Sequence, residues 1–149
     1  MSLKKLRVSI DSIDSKILKL LNERALVTLR VGSVKSKRNE SIYVPERESE
    51  VYRKLAAGNK GPLSNAALQA IYREVMSSAL GLEKQIKIAY LGPEFTFTHL
   101  ASMKKFGSSV KYSGCSTITS VFDEVEKTRA DYGVVPIENS VEGAVNHTL

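Results

Sequence analysis

The chain has no tryptophan, a single cysteine, two histidines and four prolines in 149 residues, and each scarcity removes a class of architecture. One thiol, Cys115, cannot make an internal disulfide, and with His99 and His147 isolated from each other no ligand set for structural zinc can be assembled. Cys115 therefore reads as a small buried hydrophobe. No apolar run reaches 18 residues and no charged-then-apolar leader is present, so neither a membrane span nor a secretory signal is expected, and cytoplasm is the default location. Helix breakers are also missing early: the only glycine before Gly58 is Gly32, and the first proline is Pro45.

What is there is charge, and it is unevenly placed. Residues 1–87 hold 17 Lys/Arg against 9 Asp/Glu, whereas the remainder holds 5 against 7, within a net charge of +6. A basic first part attracts anions, and charge alone leaves nucleic acid, an anionic membrane and a small polyanion all open.

Leu3, Leu6, Ile10, Ile13, Ile17, Leu20, Val27, Val31 and Val34 alternate steps of three and four with one position missing, which is a heptad seam. The pattern predicts one helix over Leu3–Lys37, roughly 50 Å long. Such a helix cannot bury its own stripe and must lie against another copy of itself or against other helices, a homodimer being the economical solution. Pro45 at a first helical turn, with Glu46 and Glu48 near the positive dipole end, starts a second helix over Pro45–Ala57, with Gly58 as a left-handed stop. Ser64 caps a third helix that carries Leu68, Ile71, Val75 and Leu82 and ends near Glu83. After Lys84 the period changes. Ile86–Leu91 reads as a strand closed by Gly92-Pro93, followed by a helix over Thr98–Phe106, a strand over Val110–Tyr112, a helix over Thr117–Arg129 and a strand over Tyr132–Ile137. The expected organisation is therefore an all-α three-helix domain over 1–84 and the start of a parallel α/β domain over 85–149.

The missing seam position is Arg24. Its stem could pack while its guanidinium snorkels to solvent, but Lys35 lies eleven residues on, about 20° away on the same face and roughly 16 Å along the axis. Two inward cations that close favour a site for one small anion, with Glu48 or Glu83 supplying partial compensation. Arg7 is about 25 Å from Arg24 along the helix and turned away from it. Taken alone it is a solvated surface residue; in an antiparallel dimer the partner's Arg7 would be carried to the other end.

Leu6-Arg7, Ile10, Ile13-Asp14, Leu20-Leu21, Glu23-Arg24, Gly32, Lys35 and Pro45-Glu46-Arg47-Glu48 together resemble the all-helical chorismate mutases. Tyr90–Ala101 is similar to the opening motif of prephenate dehydratases, as is Asp131–Ser140 continuing through Glu142-Gly143-Ala144-Val145 to Thr148-Leu149. The order is that of the bifunctional enzymes of phenylalanine biosynthesis.

This resemblance implies an intertwined helical dimer that rearranges chorismate, a dianion, to prephenate with neither a metal nor an organic cofactor, and a second domain of periplasmic-binding-protein type that is incomplete at Leu149 and inactive. It assigns the substrate carboxylates to Arg24 and the partner's Arg7, the ether oxygen to Lys35 and a protonated Glu83, and the substrate hydroxyl to Glu48, with Arg47 ordering the shell. Glu138, Asn139 and Ser140 match dehydratase positions.

The sequence departs from the pattern at Val44, where aspartate is common, at Ala79, where a serine often donates and Ser77 or Ser78 would have to substitute, and at Phe95, which replaces a glycine. Two rivals remain: a nucleic-acid or membrane binder, which lacks a helix-turn-helix, zinc ligands or a stacking stripe, and a non-catalytic helical regulatory module.

Overall fold

In the computed structural model, which describes residues 2–139 and 143–144, the chain divides into two compact units, Met1–Ile42 and Tyr43–Leu149. The first unit is essentially one helix. α1 spans Leu3–Lys37, the predicted range; the Ser2 hydroxyl caps it by accepting from the Lys5 N–H, and it closes where the Arg38 and Glu40 N–H groups both donate to the Lys35 carbonyl. None of its residues is buried. The seam from Leu3 to Val34 stands 42–63% exposed at every apolar position.

The second unit begins with α2 (Pro45–Gly58) and α3 (Asn65–Glu83). Gly58 is not the left-handed stop expected of it. It belongs to the helix, and Asn59 turns the chain instead, its side-chain amide donating to the Leu63 carbonyl and the Asn65 side chain while its carbonyl oxygen accepts from the Gly61 N–H. An asparagine that satisfies the loop backbone removes the need for a glycine in the left-handed region. Ser64 caps α3 as predicted, accepting from the Ala67 N–H at 3.1 Å.

The rest is a parallel sheet of order β2-β1-β3, formed by β1 (Lys87–Leu91), β2 (Lys111–Cys115) and β3 (Tyr132–Val134), with α4 (Phe97–Phe106) and α5 (Ile118–Glu126) as crossovers. β1 is central and pairs Ile88 with Tyr112 on one side and with Tyr132 on the other. Ile88, Ala89 and Tyr90 are buried accordingly, and Val121 of α5 packs over Ala89 and Ala130. Gly133 allows that approach, since a Cβ there would meet Val121 at 2.8 Å.

The strand and helix ends depart from expectation for local reasons. β2 runs on to Cys115 because edge pairing does not require the apolar alternation that Lys111–Gly114 lacks. α5 stops at Glu126 because Thr128 takes φ 53° and the Arg129 and Ala130 N–H groups fold back to Glu124. β3 stops at Val134, two residues before Pro136, which has no N–H to give a ladder. A two-residue antiparallel pair, β4 (Glu138–Asn139) with β5 (Gly143–Ala144), follows.

Cys115 is half-buried against the Ala89–Val121–Ala130 cluster, where burial pushes its thiol pKa up. Among the described residues no helix is long and apolar enough to cross a membrane.

Candidate active site

Within the first unit, α1 positions three of the expected residues. Arg7 is exposed, whereas Arg24 and Lys35 are half-buried. Lys35 is held: its ammonium donates to the Ile42 carbonyl at 2.7 Å, so the segment after α1 is pulled onto the lysine that the resemblance assigns to an ether oxygen.

Within the second unit, Val44 is the N-cap of α2 with extended backbone and no side-chain cap, so the helix starts on its carbonyl alone, which accepts from the Arg47 and Glu48 N–H groups. An aspartate there would have capped the helix, a contribution of about 1 kcal/mol. Arg47 points to solvent and pairs with Glu50 at 2.5 Å; Lys54 first and Arg47 second hold the Glu50 carboxyl down at about 2.

Glu48 is different. Its side chain is only 12% exposed, and Oε2 accepts both the Tyr43 hydroxyl at 2.7 Å and the Lys105 ammonium at 3.2 Å. Burial, then the hydrogen bond to Glu48, push the Tyr43 phenol far above its ordinary range.

On α3, Ala79 is buried and Glu83, the last residue, is half-buried. Neither nearby serine is placed to stand in for a hydroxyl at 79. Ser77 is buried with its oxygen accepting from the Ser109 N–H at 3.0 Å, and Ser78 is exposed and donates back to the Val75 carbonyl at 2.9 Å. Gly107, at φ 74°, fits over Ser77 only because it has no Cβ, which would sit 2.5 Å from the serine's own. A cleft of about 670 Å³ is lined by Glu48, Tyr52, Gln69, Arg73, Lys104 and Lys105 among others, but not by Ala79 or Glu83.

In the α/β part, the strand order 2-1-3 makes a switch point at the carboxyl ends of β1 and β3, where α/β sheets bind ligands. Gly92–Thr96 leaves β1 there. Phe95 does adopt the left-handed region, φ 66°, with its ring 81% exposed and its N–H donating to Nδ1 of the buried His99, which stacks on Tyr90. Glu138 is exposed and Asn139 lies in β4, whereas Ser140 lies outside the described residues.

The sequence model of the family described as chorismate mutase type II matches residues 6–84. The chain belongs to that family. A second family, prephenate dehydratase, matches residues 88–149, so this chorismate mutase family member continues directly into dehydratase-like sequence. Two curated relatives, each a bifunctional chorismate mutase/prephenate dehydratase, come from Aquifex aeolicus (56% identical over 151 residues) and Pseudomonas aeruginosa (48% over 152). Each alignment takes in 99% of this chain and 42% of the relative, so the chain spans well under half the length of the curated relatives it matches. Among solved structures, chorismate mutase (form II) from Thermus thermophilus aligns with TM-score 0.54 and 30% identity, covering 54% of this chain and 92% of that one. The helical fold of this family member is therefore that of the chorismate mutases.

Proposed function

We propose that residues 1–84 catalyse the Claisen rearrangement of chorismate to prephenate as a homodimer, and that residues 85–149 are the beginning of a prephenate dehydratase domain of periplasmic-binding-protein type. The observation that carries the reading is the family match over 6–84, which takes in Arg7, Arg24, Lys35, Glu48 and Glu83. The rearrangement is unimolecular and needs neither nucleophile nor metal; it needs a dianion held in its compact conformer. Arg24 and the partner's Arg7 take the two carboxylates. Lys35 meets the negative charge that grows on the ether oxygen as the carbon–oxygen bond breaks, so it lowers the barrier more than it favours the ground state. Glu83 donates to the same oxygen and so acts as the protonated acid. Glu48 accepts from the substrate hydroxyl. Val44 and Ala79 remove binding partners without removing a cation, so they weaken substrate binding rather than abolish turnover.

Support for the dimer comes from the seam of α1, exposed along its whole length, and from Arg7, which lies about 25 Å along the helix from Arg24. The test is complementation. A polypeptide of these 149 residues should convert chorismate but leave prephenate unchanged; Arg7→Ala and Arg24→Ala chains should each be nearly inactive, and their mixture should regain activity through heterodimers with one intact site. A mixture no better than its components would rule out the shared site.

A further inference from the structure

Glu48 is the proposed acceptor for the substrate hydroxyl, and of the two donors that hold it one lies within the stretch matched by the mutase family and the other beyond it. Tyr43 precedes α2, and Lys105 lies in the last turn of α4, in the α/β part, 57 positions along the chain. Both donate to the same oxygen, Oε2, and the Lys105 ammonium also sits 5.7 Å from the centroid of the Tyr43 ring. That ring is packed in turn against Phe106 at 5.2 Å and Tyr132 at 5.4 Å.

The loop after α4 is tied to α3. Ser108 donates to Glu74 through both its N–H and its hydroxyl, and Ser109 donates to Ser77. The Glu74 carboxyl is held below its usual range chiefly by the Ser108 hydroxyl, then by the Ser108 N–H. The position of Lys105 over α2 is thus set by hydrogen bonds on the neighbouring helix.

A carboxylate so largely withdrawn from water requires partners, and two donors on one oxygen also fix its plane. We infer that Lys105, with Tyr43 as a second arm, is a positioning residue for Glu48, so that the α/β part completes the carboxylate on which the mutase part relies for the substrate hydroxyl. The inference rests on the mutase reading of Glu48.

The experiment compares Lys105→Met, Lys105→Arg, Lys104→Met and Glu48→Gln in the full 149-residue chain, by chorismate kinetics and thermal melts. Lys105→Met should raise KM about five-fold with kcat changed less than about two-fold, the size expected of one partly exposed ion pair that serves ground-state binding. Lys105→Arg should restore most of the loss. Lys104→Met, an equal change of charge at the adjacent exposed lysine, should leave KM within about two-fold of the parent. An unchanged KM in Lys105→Met beside a damaged Glu48→Gln overturns the positioning role and spares the mutase reading. A loss that Arg fails to rescue and that tracks the melting temperature makes the pair merely structural and also overturns it. Failure of the parent chain to convert chorismate, or a fully active Glu48→Gln, removes the mutase reading and this inference together.

Discussion

α1 and β1 are opposite solutions to the same requirement. α1 uses 35 residues and buries none of them, whereas β1 uses five and buries Ile88 and Ala89 completely. The strand is covered by its own chain through two parallel neighbours and two crossover helices. The helix carries a longer apolar stripe, yet every seam residue remains largely exposed. At about 25 cal/mol per Å² of apolar area, the strand's stabilisation is already realised within one chain, while the stabilisation latent in the helix is released only by a further surface laid on it. A region of the first kind carries stability; one of the second kind can carry charged groups such as Arg24 and Lys35, and in the proposed dimer its packing is completed by the partner.

The sharpest way to break this contrast is through activity. Arg24→Ala should lower kcat/KM by about 2–5 kcal/mol in transition-state terms, while Arg53→Ala, on the exposed face of α2, should change it less than about two-fold, with the melting temperature of both close to the parent's. Equal kinetic losses would show that charge, not position, matters.

Stability provides the next test. Ile88→Ala opens a cavity in a sealed sheet and should cost about 2–5 kcal/mol at any protein concentration. Ile17→Ala should cost less than about 0.5 kcal/mol in dilute solution and more as concentration rises, because in the proposed dimer its partner surface belongs to another chain. Urea melts at two concentrations decide it, and a concentration-independent loss for Ile17→Ala would count against the dimer.

Within the α/β part, a smaller effect than that of Ile88→Ala is expected at Phe95. An L-residue in the left-handed region costs roughly 1–2 kcal/mol and glycine's extra chain entropy returns about 0.5–1, so Phe95→Gly should stabilise the α/β part by about 0–1.5 kcal/mol. The ring lies 5.9 Å from His99, edge to face. A net loss of stability in Phe95→Gly would mean that this contact outweighs the backbone strain.

Much of the fold was legible because its signals are local. The α1 limits follow from a three-four alternation that only Arg24 breaks, and Ser64 caps α3 because a short side-chain oxygen reaches the next turn whatever lies around it. Boundaries failed where the deciding group is elsewhere in the chain or carries no period: Asn59 in place of Gly58, the polar edge strand β2, and the shortened ends of α5 and β3. Of the candidate site, Arg24 announced itself as a cation in an apolar seam, whereas the roles of Arg7, Glu48 and Glu83 come only from resemblance. Lys105 carried no sequence signal, since nothing in Lys104-Lys105-Phe106 distinguishes it from its neighbour.

The sequence by itself determined the periodicities and the Ser64 cap, which depend on residues within a turn or two of one another, and the family and the uneven charge, which need no contacts at all. Only the tertiary structure decided that Ser77 is committed to Ser109, that Lys35 holds the Ile42 carbonyl, and that Glu48 is closed by a phenol and an ammonium. Those outcomes turn on hydrogen bonds and ion pairs whose partners are brought close by packing, and distance along the chain has no bearing on which polar groups meet once water has been excluded around them.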